Sequence, residues 1–313
     1  MKFKVDYHIY ELQNRHKREG ALLRVEFEDE SIGYADCHPW SELGDHHLNE
    51  QLNRLKMKGP TNLARCSLHF ARIDAQARKD KIELLSDKNI PKSHYLASDF
   101  LEWCESDVKR IQAYGYTHIK FKVGRQVDKE IAILNKLFSN SQLKLRLDFN
   151  EMLSYDQFRS YITKIEVLKP SIDFIEDPFP FQFNEKQWEK IQNEGWFLAC
   201  DRQAALAVHF PYAAEVIVIK PAIQAESEWK NWTGQRKVVT SYLDHPFGQL
   251  TAAYAASLID PHATEVHGLL SHHTYVPNPF SQKLADLGPA FKVPDGHGFG
   301  FESELAKLQW KTL

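Results

Sequence analysis

Three carboxylates, Asp148, Glu176 and Asp201, each stand at the end of a short apolar run: Leu145-Arg146-Leu147-Asp148, Asp173-Phe174-Ile175-Glu176 and Phe197-Leu198-Ala199-Cys200-Asp201. Lysines bracket them, with His118-Ile119-Lys120-Phe121-Lys122 before and Val216-Ile217-Val218-Ile219-Lys220 after. If the runs are neighbouring strands, their charged ends converge. Three close anions repel strongly in a dry site, and the arrangement is tolerable only with a cation among them. An all-oxygen donor set without His or Cys favours Mg²⁺ over zinc. Side chains alternate faces along a strand, so Lys120 and Lys122 point the same way and Arg146 lies one layer below Asp148. A free lysine titrates near ~10.4, and a neighbouring cation such as Lys120 or a divalent metal lowers that, so Lys122 could serve as a base at neutral pH. Taken singly, a lysine here could be a solvated strand end, an Asp a helix cap, and Glu176-Asp177-Pro178 a turn. Five such ends at one height are a constellation.

The elements that must position these residues are legible beyond Pro91, a plausible boundary because proline and the residue before it resist helix. Strand-like runs fall near 93–97, 118–122, 144–148, 172–176, 197–201, 216–220, 237–241 and 264–267. Their ends are 25, 26, 28, 25, 19, 21 and 26 residues apart, about one strand, loop, helix and loop per step. Eight strands joined by helices predict an α/β fold of the closed-barrel type, whose catalytic residues collect at the carboxyl ends of the strands. Helices are expected from Asp99 to Tyr114, Asp128 to Phe138 and Ser154 to Lys164. Residues 1–90 read as a small α+β unit: strands over 2–12 and 21–27, a long polar loop over 13–20, and helices near 48–57 and 62–80.

Composition narrows the classes. A formal net charge of −3 argues against a nucleic-acid-binding chain. No apolar run approaches the ~18 residues of a membrane span, and Met1 to Asp6 lack the apolar stretch of a secretory signal, so a cytoplasmic, membrane-free protein is the expectation. Cys37, Cys66, Cys104 and Cys200 form no CxxC pair, which removes disulfide-framework and zinc-ribbon readings. No glycine-rich phosphate fingerprint follows any strand. Adjacent histidines, His46-His47 and His272-His273, point to opposite faces of an extended chain and do not chelate as pairs. The residues do not fix an oligomeric state.

The strand-end residues resemble the enolase superfamily in its muconate-lactonizing branch. Lys120-Phe121-Lys122 is similar to the Lys-x-Lys of the second barrel strand, Asp148-Phe149-Asn150 to the Asp-x-Asn of the third, and Glu176-Asp177-Pro178 to the Glu-Asp-Pro of the fourth. Asp201 and Lys220 match the fifth-strand carboxylate and sixth-strand lysine. The resemblance implies a (β/α)7β-type modified TIM barrel over 91–292 and an N-terminal α+β capping domain over 1–90, with the tail 293–313 returning to the cap. It further implies Mg²⁺ on Asp148, Glu176 and Asp201, catalytic Lys122 and Lys220, supporting Lys120, Asn150 and Arg146, and an enediolate formed from a small-molecule carboxylate.

Within the branch the chain looks most like the o-succinylbenzoate synthases, dehydratases of menaquinone biosynthesis. That likeness implies substrate contacts from Ser241, Tyr242 and Arg15. Arg202 stands where many relatives carry Glu. The eighth run, Glu265-Val266-His267-Gly268, lacks the Asp-x-Asp of dipeptide epimerases, and no His-Asp pair replaces Lys220 as in mandelate racemases. N-acylamino acid racemization and muconate cycloisomerization stay open, as does, from another class, a noncatalytic metal-stabilised barrel.

Overall fold

The computed structural model describes residues 3–14, 17–97, 99–139, 141–284 and 287–313. Its first sheet is antiparallel, formed by β1 (Phe3–Gln13), β2 (Lys17–Phe27) and β3 (Ile32–Cys37). Helices α1 (Leu48–Lys56) and α2 (Asn62–Lys79) follow. Gly33 lets β3 lie directly on α2, since a Cβ there would fall 1.9 Å from the Ala71 carbonyl oxygen.

The expected long loop at 13–20 is not observed. Strands β1 and β2 stay paired out to Gln13 and Lys17, and only 14–16 lie between them. Burial alternates there: Arg18 and Gly20 are buried, whereas Lys17 and Glu19 are exposed. The Arg18 guanidinium stacks 3.3 Å from the Trp40 ring centroid and donates to the Leu243 carbonyl, which compensates for burying a charge in a strand.

The second sheet is parallel and seven-stranded: β4 (Tyr95–Ala97), β5 (His118–Lys122), β6 (Lys144–Asp148), β7 (Ile172–Glu176), β8 (Leu198–Cys200), β9 (Val216–Ile219) and β10 (Arg236–Val239), adjacent in chain order. Helices α3 (Glu105–Ala113), α4 (Val127–Phe138), α5 (Tyr155–Lys164), α6 (Glu185–Asn193), α7 (Ala204–Ala207), α8 (Glu226–Trp229) and α9 (Pro246–Ile259) connect or follow these strands. Helix α3 starts later than expected because Asp107 accepts the Cys104 amide hydrogen and caps the helix there. The eighth run contributes only bridges, Thr240 to Gly268 and Ser93 to His267, and these join β10 back toward β4.

Alternation along the strands divides the barrel interior into layers. Phe174, Ala199, Val216, Val218 and Val238 form the apolar middle. Below it, Arg146 donates to Asp173 and Glu265, and Arg236 pairs with the same two carboxylates. These pairs tie β6, β7 and β10 to the short eighth run. Above the middle lies the mouth, where the charged strand ends collect. A larger cluster that includes Phe121, Phe149, Phe158 and Trp188 fills the space between strands and helices.

The segment after α9 returns to the first sheet. Strand β11 (Lys311–Thr312) pairs with Asp6 and Tyr7, and buried Asp74 of α2 accepts amide hydrogens from both Tyr34 and Phe299. Between the two sheets, buried Asp36 accepts from the Tyr10 hydroxyl and the His245 amide. Asp244 lies beside it, its carboxyl pushed up to about 7 by burial. A carboxyl raised in the folded state contributes stability that is present below the unfolded value of ~3.9 and is lost as pH rises through the folded one. Asp244→Asn should therefore change stability little at pH 4 and raise it relative to the parent at pH 8, by an amount on the order of a few kcal/mol. Parallel thermal melts of the two proteins, with the same offset at both pH values, would contradict this.

Candidate active site

Register brings the strand ends together. Lys122 of β5 pairs with Asp148 of β6, and Asp148 with Glu176 of β7. Asp201 and Lys220 directly follow β8 and β9. Lys120, Lys122, Asp148, Asn150, Asp201 and Lys220 line one cavity of about 660 Å³ at the mouth, with Glu176 buried behind Lys120. Trp40, Leu43, Leu96, Leu243 and Leu270 supply its apolar walls.

The lysines differ in their partners. Lys120 Nζ lies 2.6 Å from both Glu176 oxygens and 3.0 Å from Asp148 Oδ2. Lys220 is ion-paired to Asp201. The Lys122 amine makes no hydrogen bond or ion pair to any described residue. Burial pushes its proton affinity below that of an ordinary lysine, and Lys120 and Lys220 add to the effect against the opposing pull of Asp148. For Lys220 burial acts in the same downward sense, but the Asp201 and Glu176 carboxylates reverse it and hold the ammonium. Burial is thus the main influence on Lys122, and the neighbouring cation that sequence reasoning invoked acts in the same sense but ranks behind both burial and the opposing Asp148 charge.

The carboxylates fit a hard divalent cation. Burial, then the Asp148 charge, push the Glu176 carboxyl up to about 7, the signature of an anion set short of positive charge. Glu176, Asp177 and Asp201 each bring one oxygen within 4.8 Å of the others. Asp177, however, accepts the amide hydrogens of Asp201 and Arg202 and does not line the cavity, so it anchors the end of β8. The set that could hold a metal is Asp148 and Asp201, which line the cavity, with Glu176 buried behind Lys120. Asn150 donates through its side chain and amide to Asp148 Oδ1, and Arg202 reaches toward Glu151 at 3.9 Å. Asn150, Glu151, Asp177 and Leu243 all have positive φ, so backbone strain concentrates around the mouth.

The other expected residues divide. Ser241 and Tyr242 line the cavity, where the Ser241 hydroxyl donates to Ser271 and Tyr242 bonds Asp45. Arg146 is fully buried beneath the mouth and reaches the cavity only through His94, whose Nδ1 lies 3.0 Å from its Nη1. Arg15 lies outside the described residues. Sequence reasoning missed His94, Leu96 and Ser271. The first precedes and the second lies within a strand that ends on Ala97 with no charged residue to mark it, and Ser271 follows the run that is barely a strand.

Comparison with known proteins then decides the family. Residues 5–77 match the model of the o-succinylbenzoate synthase N-terminal domain, and residues 103–214 that of the enolase C-terminal domain-like family. An o-succinylbenzoate synthase of Bdellovibrio bacteriovorus is 34% identical over 307 residues, covering 95% of this chain and 92% of the relative. The chain belongs to the o-succinylbenzoate synthase family. Its fold is that of the mandelate racemase and muconate lactonizing enzymes. A structure of that group from Sorangium cellulosum superposes with a TM-score of 0.80 at 17% identity, covering 95% of this chain and 97% of the other. The muconate lactonizing enzyme of Pseudomonas putida gives 0.72 at 16% identity, covering 97% and 98%.

An o-succinylbenzoate synthase site of this geometry should bind a divalent cation as a stabilising ligand. At one hundred times Kd the gain is about 2.7 kcal/mol. Thermal melts with and without divalent cation should show it for the parent, and Asp201→Asn should lose the cation-induced shift. A cation-induced shift that persists in Asp201→Asn would place the metal elsewhere.

Proposed function

We propose that the protein is a cytoplasmic, Mg²⁺-dependent lyase of menaquinone biosynthesis that dehydrates 2-succinyl-6-hydroxy-2,4-cyclohexadiene-1-carboxylate to o-succinylbenzoate. The observation that carries the reading is the unpaired Lys122 amine in a cavity whose other two lysines are ion-paired. Family membership supports the substrate class, because the relative in Bdellovibrio bacteriovorus is an o-succinylbenzoate synthase.

Asp148, Glu176 and Asp201 would hold Mg²⁺, which supplies positive charge at the substrate carboxylate. Asn150 fixes the orientation of Asp148. Lys122 takes the proton from the ring carbon bearing that carboxylate, and the electron pair left behind expels the hydroxyl from the adjacent carbon. The ammonium just formed on Lys122 returns its proton to the departing oxygen from the same face, so water leaves and the amine is restored. Lys220, held charged by Asp201, stabilises the developing anion from the opposite side. Trp40, Leu43, Leu96 and Leu270 keep bulk water from the ring, and the Ser241–Tyr242 segment receives the succinyl carboxylate.

A racemase with the same lysines needs both as acid and base in alternation. Here Lys122 is unpaired and Lys220 is committed to Asp201, an asymmetry that favours a reaction served by one base. The division into a cap over 1–90 and a barrel over 91–292, with the tail on the cap, is part of the same proposal, the cap contributing Trp40 and Leu43 to the cavity.

The test is the loss of the cyclohexadiene ultraviolet absorbance with purified protein and Mg²⁺. Turnover should stop with EDTA and return with Mg²⁺. Lys122→Ala should lower kcat by at least about 10³-fold with cation binding retained. A folded, Mg²⁺-loaded protein without turnover rejects this substrate, and α-proton exchange of N-acylamino acids in deuterated water then tests the racemase alternative.

A further inference from the structure

His94 precedes β4 and is buried, yet it lines the cavity. Arg146 Nη1, which can only donate, lies 3.0 Å from its Nδ1. Nδ1 must therefore accept, and the ring hydrogen resides on Nε2. Arg146 is itself immobilised, since its Nε donates to Asp173 at 2.7 Å and its Nη2 to Glu265 at 3.0 Å. The tautomer of His94 is thus set from beneath by an ion network that does not reach the cavity.

The Nε2–H edge has no partner among the described residues. It lies against Gly268, where an added Cβ would fall 2.8 Å from Nε2 and 2.6 Å from Cε1. Gly268 also lines the cavity, so the absence of a side chain there leaves this edge open toward it. A neutral N–H is a single donor, suited to an uncharged oxygen, whereas the charged ends of a substrate fall to cations and to the Ser241 wall.

We propose that His94 is a specificity-determining residue whose Nε2–H, fixed by Arg146, donates to an uncharged substrate oxygen, the ketone of the succinyl arm. The identity of that oxygen rests on the function proposed above; the tautomer does not. Arg146 is then a positioning residue acting through His94.

Three measurements test this. Nitrogen NMR of the full chain with ¹⁵N-labelled histidine should show His94 protonated on Nε2 and bare on Nδ1, and Arg146→Met should turn this into a mixture. In turnover assays His94→Phe should raise KM about tenfold with kcat within about threefold of the parent, the pattern of a lost neutral hydrogen bond common to ground and transition states. His94→Gln, whose amide can reach the Nε2 position, should recover most of that loss. Calorimetry with o-succinylbenzoate and Mg²⁺ should show the same weakening for His94→Phe. A proton on Nδ1 in the parent overturns the proposal, as does an unchanged KM and o-succinylbenzoate affinity in folded His94→Phe. Absence of turnover in the parent overturns instead the functional reading and with it the substrate contact, and the tautomer measurement distinguishes the two failures.

Discussion

Mutual repulsion among Asp148, Glu176 and Asp201 is the constraint around which the mouth of the barrel is arranged. Parallel register sets Asp148 beside Glu176, Asp201 brings an oxygen within 4.8 Å of Glu176, and their proximity is sustained only by positive charge. Lys120 sits against two of them and Lys220 against the third. Because those two ammoniums are engaged, Lys122 is left as the uncommitted amine among the described residues, and burial lowers its proton affinity. Chemical differentiation among three identical side chains therefore follows from the geometry of the carboxylates, with no special feature of Lys122 itself.

The lower layer solves a different problem with the same means. The run at 264–268 supplies too few backbone bonds to hold the barrel closed as a full strand would. Arg146, Asp173, Arg236 and Glu265 cross from β6, β7 and β10 to that run with paired, hydrogen-bonded charges. Buried ion pairs contribute little net stability but are costly to break singly, so they specify one arrangement of the seam more than they deepen it. His94 connects the two layers, touching Arg146 below and the cavity beside it.

What could be read from the sequence followed from where chemistry and periodicity coincide. The second, third and fourth barrel strands were legible because each ends in a charged residue after alternating apolar ones, and their observed ranges match the reading. The hairpin tip was hidden because Lys17-Arg18-Glu19-Gly20 contains no apolar residue. Its inward positions are filled by an arginine that buries its charge over Trp40 and by a glycine whose Cβ would lie 2.3 Å from the Tyr10 hydroxyl. Neither is visible without the partner that lies elsewhere in the chain. His94 was hidden for the same reason, since a lone histidine before a strand acquires meaning only when Arg146, some fifty residues on, is placed beneath it.

The pairing of β1 with β11 and the two amide donors of Asp74 bear on how the molecule is made. During synthesis from the amino terminus, the Tyr34 amide is available to Asp74 early, whereas the Phe299 amide emerges only after the whole barrel sequence. The first sheet thus waits on the ribosome with one edge of β1 unpaired at Asp6 and Tyr7 and with buried Asp74 held by Arg78 and the Tyr34 amide but lacking its third donor. Its completion is deferred until the tail arrives, so a segment translated long before the barrel is among the last to reach its final state.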